Sequence, residues 1–155
     1  MQHMEILDYE PRFRHAFREL NEWWIHRYFE MEDKDYQLLH DPQTHVLEKG
    51  GHILVALLEG QPAGTCALVP SDREGFDFEL TKMGVAPEFQ GRGVGMALGV
   101  AILEKARSLG AEKIFLESNT ILKPAIGLYK KLGFKEFSGE ESPYQRCNIQ
   151  MELTL

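Results

Sequence analysis

The sequence predicts a mixed α/β (α+β) fold, a central mixed β-sheet flanked by helices. Three observations carry that prediction. Helical periodicity is concentrated in the first forty residues and again in two later stretches. Short apolar runs bounded by turn residues follow one another as hairpins in mid-chain, then alternate with helices. A glycine cluster joins the end of one strand to the start of the next helix. With 155 residues, 43% hydrophobic and 26% charged, the chain is expected to form one domain over residues 1–155. Its core should need neither disulfide nor metal.

In chain order, Glu5–Tyr9 reads as a short first strand. Pro11 suits a helix start, where its missing N–H costs nothing. Phe13, Phe17, Leu20, Trp24 and Tyr28 recur at spacings of four, three, four and four, one apolar helix face with Arg12, Arg14, Arg18, Glu19 and Glu22 mostly elsewhere. A second helix over Asp33–His40 stops at Asp41-Pro42, and Lys49-Gly50-Gly51 breaks the chain. Ile53–Leu58 and Ala63–Val69 read as a hairpin turned by Glu59-Gly60-Gln61-Pro62 and closed by Pro70-Ser71-Asp72. Phe76–Val85 is the next strand. Val94–Leu109 is a helix capped by Gly110, Ile114–Glu117 a strand, and Pro124 opens a helix ending at Lys131-Leu132-Gly133. Phe134–Phe137 and Arg146–Leu153 are the last strands.

Composition excludes several functions. No apolar run approaches the roughly 20 residues of a membrane span, and the N-terminus lacks the basic and apolar regions of an export signal. Two cysteines, Cys66 and Cys147, make neither a disulfide scaffold nor a zinc clip and suit a reducing cytoplasm. His40, Asp41 and His45 have poor ligand spacing, so no metal is expected. With 24 acidic against 17 basic residues, net charge −7, the surface disfavours nucleic acid and favours small cations such as amines.

The most informative stretch is Val85-Ala86-Pro87-Glu88-Phe89-Gln90-Gly91-Arg92-Gly93-Val94-Gly95-Met96. Its glycines permit positive φ and close approach of a ligand. The helix it opens leaves the first N–H groups free at the positive end of the dipole. Together these make an anion site suited to phosphate, with Arg92 adding charge at the rim. Gly-Lys-Ser/Thr is absent, so it is not a P-loop. Neither Gly91–Met96 nor Gly93–Leu98 completes the dinucleotide pattern.

Gln90-x-x-Gly93-x-Gly95 resembles the acyl-CoA pyrophosphate loop of the GNAT superfamily of N-acetyltransferases. Leu128-Tyr129-Lys130-Lys131-Leu132-Gly133-Phe134 is similar to that superfamily's late helix–strand signature, and Leu116-Glu117-Ser118-Asn119 to the strand end between them. The likeness runs from about Ile53 to Phe137. It implies a GNAT-like fold and acetyl-CoA as acyl donor, bound through Gln90, Gly91, Arg92, Gly93, Val94, Gly95 and Met96. Helices before the first hairpin roof the acceptor pocket in these enzymes. Trp23, Trp24, Tyr28 and Phe29 are therefore candidates for its wall as well as for core.

The strand before the loop changes phase. Phe76, Phe78 and Leu80 are apolar at even positions, Met83 and Val85 at odd ones. Either a β-bulge near Thr81–Lys82 restores one buried face, or the strand is buried on both faces. The resemblance implies the bulge, with backbone at Met83 and Val85 holding pantetheine and polarising the thioester carbonyl.

Acetyl transfer to an amine poses two proton problems. The acceptor arrives as a cation, and freeing it at pH 7 costs about 4.6 kcal/mol. Glu79, on the polar phase of the central strand and eleven residues before Gln90, is the leading base candidate. Asp77 and Glu117 are further candidates, and a plain surface carboxylate is the alternative. The leaving thiolate needs a donor, which the resemblance assigns to Tyr129. Asn119 either hydrogen-bonds the coenzyme arm or caps the helix near Ile121. Cys66, inside a strand, reads as a small buried apolar residue, and Cys147 has no partnered His. The expected reaction is therefore direct attack by a small-molecule amine or protein amino group in a ternary complex. The competing readings are an acyl-CoA-binding module without turnover and a nucleotide-phosphate enzyme. The C-terminal strand is available to pair across a homodimer.

Overall fold

The computed structural model describes residues 3–139 and 141–155. Seven strands, β1 (Met4–Asp8), β2 (His52–Leu58), β3 (Gln61–Pro70), β4 (Phe78–Val85), β5 (Lys113–Ser118), β6 (Lys135–Phe137) and β7 (Ile149–Thr154), form one sheet in the order β1-β2-β3-β4-β5-β7-β6. Only β4 and β5 pair in parallel; the other neighbours are antiparallel. The helices are α1 (Arg14–Tyr28), α2 (Asp33–His40), α3 (Val94–Ser108) and α4 (Lys123–Leu132). This is the expected mixed sheet flanked by helices.

Alternation explains the layering. On β2, Leu54, Ala56 and Leu58 join the core with Leu98, Ile102 and Ala106 of α3 and Tyr129 of α4. Ile53 faces the opposite side with Phe17 and Ile25 of α1 and Leu38 and Leu39 of α2. Both faces of the sheet are therefore buried, which is why β2 reads as a continuous apolar run. Gly64 lets α3 seat closely on β3, because a Cβ there would come within 2.8 Å of Val94 and 2.9 Å of Leu98.

Several boundaries differ from expectation, each for a local reason. Pro11–Phe13 forms a 3₁₀ turn before α1. Glu59 and Gly60, at φ 51 and 79, complete the first hairpin turn, so Gln61 and Pro62 already belong to β3. A π-helical turn occupies Gln43–Leu47. Strand β4 starts at Phe78, because Phe76 packs on Phe115 and Phe137. Gly110 caps α3 through N–H bonds from Gly110 to Arg107 and from Ala111 to Ala106. Arg146 precedes the last strand, which begins at Ile149, since its guanidinium is held by Asp35. That strand lies between β5 and β6. Its residues Gln150, Met151 and Glu152 are paired on both sides, with β5 and with β6.

Candidate active site

Strands β4 and β5 hydrogen-bond only at Phe78–Leu80 with Ile114–Leu116. Beyond those residues β4 runs to Val85 and β5 to Ser118 without pairing, leaving a gap in the sheet. A bulge bends β4 there. Thr81 pairs with Ala67 and Gly84 with Thr65, so Lys82 and Met83 both stand opposite Cys66. Lys82 takes a left-handed φ of 53°. The extra residue restores phase: Leu80, Met83 and Val85 all pack toward the α3 side, while Gly84 lies against Leu20, Asn21 and Trp24 of α1.

A cavity of about 520 Å³ fills the gap. One end is walled by the loop before α3 and by α4. The other is walled by Trp23, Trp24, Tyr28 and Phe29 and by Tyr144, Arg146 and Cys147 of the loop before β7. The β4 bulge and Glu117 lie between the ends.

At the first end, Gly91 and Gly93 both have φ 80°, and a Cβ on either would touch nothing. Conformation, not space, calls for glycine here. Gly93 starts α3 without a side-chain cap, its carbonyl accepting from Ala97 at 3.0 Å. The N–H groups of Val94, Gly95 and Met96 are left without a helical acceptor. Gln90, Gly91, Gly93, Val94, Gly95 and Met96 line the cavity, as do Met83 and Val85. Arg92 does not; its guanidinium lies 5.7 Å above the Phe89 ring at the rim. Gly95 admits Leu128 of α4 at 3.2 Å from a Cβ position, so α4 brings Tyr129 into the wall.

Tyr129 is buried, with its ring edge-on to Phe134. Burial pushes its hydroxyl far above the usual phenol range, with Cys66 adding to the effect, so it is a neutral donor. Cys66 is fully buried and likewise pushed far up. Asn119 lines the cavity; its Nδ2 donates to the Arg146 carbonyl at 2.7 Å and its Oδ1 accepts from Ile121 N–H at 2.9 Å. The latter bond closes a turn ahead of α4, which begins at Lys123 without a side-chain cap.

The three carboxylates separate by environment. Asp77 accepts N–H bonds from Glu112 and Lys113 at 2.7 and 3.1 Å, clamping the start of β4 at the end remote from the bulge. Glu117 lines the cavity. It accepts from Arg73 at 3.0 Å and from Gln150 at 3.0 Å. Glu79 lies on the adjacent strand, on the same sheet face, and is not among the residues that line the cavity. Burial, reinforced by the negative charge of Glu117, raises its carboxyl to about 7. Cys147 also faces the cavity, and burial raises its thiol.

The second end holds a cluster that the sequence did not disclose. Lys82, presented by the bulge, is 4% exposed and donates to Asp35 at 2.7 Å and to the Tyr144 hydroxyl at 3.0 Å. Arg146 grips the same Asp35 with two bonds of 2.6 and 2.7 Å, and its guanidinium stands 4.5 Å from the Tyr144 ring centre. Asp35 is fully buried. Burial alone would raise its carboxyl, but the bonds from Arg146 and the charge of Lys82 outweigh that and hold it at about 2. A lysine beside the strand's phase switch was the available signal; its partners lie 47 and 62 positions away. Among the described residues no group of acidic, His or Cys side chains could hold a metal ion, and no helix is long and apolar enough to cross a membrane.

Comparison with known proteins bears on this geometry. The model of the acetyltransferase (GNAT) family matches residues 13–134. The chain is 34% identical over 109 residues to the uncharacterized N-acetyltransferase YjgM of Escherichia coli K12, a match over 66% of this chain and 65% of that protein. It therefore spans just under two thirds of that relative's length. Its fold matches an acetyltransferase of the GNAT family from Staphylococcus aureus Mu50 with TM-score 0.86 at 18% identity, over 98% and 99% of the two chains. It also matches the structure of yncA of Salmonella typhimurium, solved with its cofactor acetyl-CoA, with TM-score 0.75 at 19% identity over 97% and 93%.

Proposed function

The chain belongs to the acetyltransferase (GNAT) family, and on that premise we propose that it is a single-domain enzyme transferring acetyl from acetyl-CoA to a primary amine. The observation that carries this reading is the continuity of one cavity, from the free amides that open α3, past the β4 bulge, to Glu117. The residues present fit the coenzyme. Amides from Gln90 to Met96 suit its pyrophosphate, and the backbone at Met83 and Val85, which does not pair with β5, suits its extended pantetheine arm and thioester carbonyl.

In this reading Glu117, paired with Arg73, draws the acceptor ammonium to the gap. Glu79, with its carboxyl raised to about 7, takes the proton through water, since it does not itself line the cavity. Its affinity matches the task at neutral pH. The freed amine nitrogen bonds to the thioester carbonyl carbon, the C–S bond breaks, and Tyr129 hydrogen-bonds the departing sulfur. Cys66 and Cys147, both with raised thiol affinities, supply no thiolate nucleophile, so attack is direct in a ternary complex. Two free cysteines suit a reducing cytoplasm.

Thiol release from acetyl-CoA across an amine panel tests this, with Tyr129→Phe as control. Release that depends on amine and falls at least tenfold in the variant supports the enzyme. Coenzyme binding by calorimetry without release from any amine would instead make the chain a binding module.

A further inference from the structure

Lys82 and Tyr144 line the acceptor end of the cavity, and each keeps one donor that no described residue accepts. An ammonium has three N–H groups and no lone pair. Lys82 spends one on Asp35 and one on the Tyr144 oxygen, and the third has no partner among the described residues. Because Tyr144 must be the acceptor in its bond with Lys82, its own O–H is left to donate elsewhere, and no described residue receives it. Both residues are buried, Lys82 4% and Tyr144 7% exposed. A donor left unmatched at such depth is costly. Asp35 does not answer them, since its two oxygens are already bonded by Lys82, by both terminal nitrogens of Arg146 and by the Glu32 N–H. Arg146, on the same wall, adds a second cation.

Two neighbouring donors, one cationic, in the wall of one cavity call for an anionic oxygen. We propose that the acceptor is an amino carboxylate, its carboxylate received by Lys82 and Tyr144 and its amine turned toward Glu117. Trp23, Trp24, Tyr28 and Phe29 supply the remaining wall, so the side chain it accommodates is apolar or aromatic. This assignment rests on the acetyltransferase reading and narrows its substrate class. The carboxylate oxygens accept from the Lys82 N–H and the Tyr144 O–H, while the amine gives its proton to the acidic side of the gap.

The test compares phenylalanine, phenylalaninamide and phenethylamine as acceptors, by thiol release from acetyl-CoA. The free acid is expected to exceed both others in kcat/KM by about tenfold or more, the scale of a hydrogen bond to a charged group. In Tyr144→Phe, which keeps the ring, and in Lys82→Met, that preference should fall toward one. In parallel, the coenzyme-loaded protein should be raised in melting temperature by phenylalanine and not by phenylalaninamide. Equal or better use of the amide or amine, or equal melting shifts, overturns the proposal while leaving the acetyltransferase reading intact. Absence of turnover with every amine overturns that parent reading, and the melting comparison then still decides the carboxylate site.

Discussion

Glu79 and Glu117 occupy the same face of adjacent parallel strands, Glu79 paired with Phe115 and Glu117 two residues beyond it. Only Glu117 has an arginine bonded to it. The two carboxylates thereby stand in different surroundings, Glu117 bonded by Arg73 at the cavity wall and Glu79 raised to about 7 by burial and by the charge of Glu117. A pair split in this way is suited to divide the work of attracting a cation and accepting its proton.

Activity should follow the ionisation of Glu79. Since a base must be unprotonated, kcat/KM should climb with pH through about 7 and level off above it. Glu79→Gln should lower activity by about 100-fold and remove that rise. A pH–rate profile with an unchanged limb in the variant would take the base role away from Glu79.

The same group makes a stability prediction of definite sign. Its folded-state affinity is raised above the unfolded value, so the folded state holds this proton more tightly. The stability it contributes is complete below about 4.5 and is lost as pH rises to about 7. Glu79→Gln should therefore gain on the native protein by roughly 3 kcal/mol between pH 4.5 and 8. Urea unfolding at the two pH values measures the difference.

Asp35 behaves oppositely. Its affinity is depressed to about 2, so its contribution is present above the unfolded value near 4 and fades as pH falls through about 2. Asp35→Asn should cost about 3–5 kcal/mol at pH 7, because Lys82 and Arg146 are left as buried charges without their shared counter-ion. Chemical denaturation reads this directly, and a loss below 1 kcal/mol would show the cluster to be dispensable.

Tyr129→Phe deletes a hydroxyl for which no described residue is a hydrogen-bond partner. Folding should be nearly unaffected, within about 0.5 kcal/mol. Turnover should drop about 100-fold, with coenzyme affinity by calorimetry little changed. Equal turnover would reduce Tyr129 to a packing residue.

Gly93→Ala places a methyl group in open space but at φ 80°. The strain should cost about 1–2 kcal/mol and weaken coenzyme binding by shifting the amides that open α3. A Gly93→Ala protein with native melting temperature and native affinity would show that the loop needs no left-handed residue.

Legibility followed sequence distance. Periodicity and turn chemistry located α2 at its observed ends and most strands within two residues, since these are nearest-neighbour effects. The bulge was readable because an extra residue leaves a phase slip between Leu80 and Met83 along one strand. The end of the sheet was misread because Arg146, polar in an otherwise extended stretch, is drawn out of β7 by Asp35, 111 positions earlier.

By itself, then, the sequence determined the order of elements, the phase change in β4 and the glycine loop that opens α3. All three follow from interactions between residues close in the chain. Only the tertiary structure decided that Glu117 lines the cavity while Glu79 does not, and that Lys82, Asp35, Tyr144 and Arg146 converge at its far end. Those relations depend on strand pairing and on desolvation of charge, which no local pattern encodes.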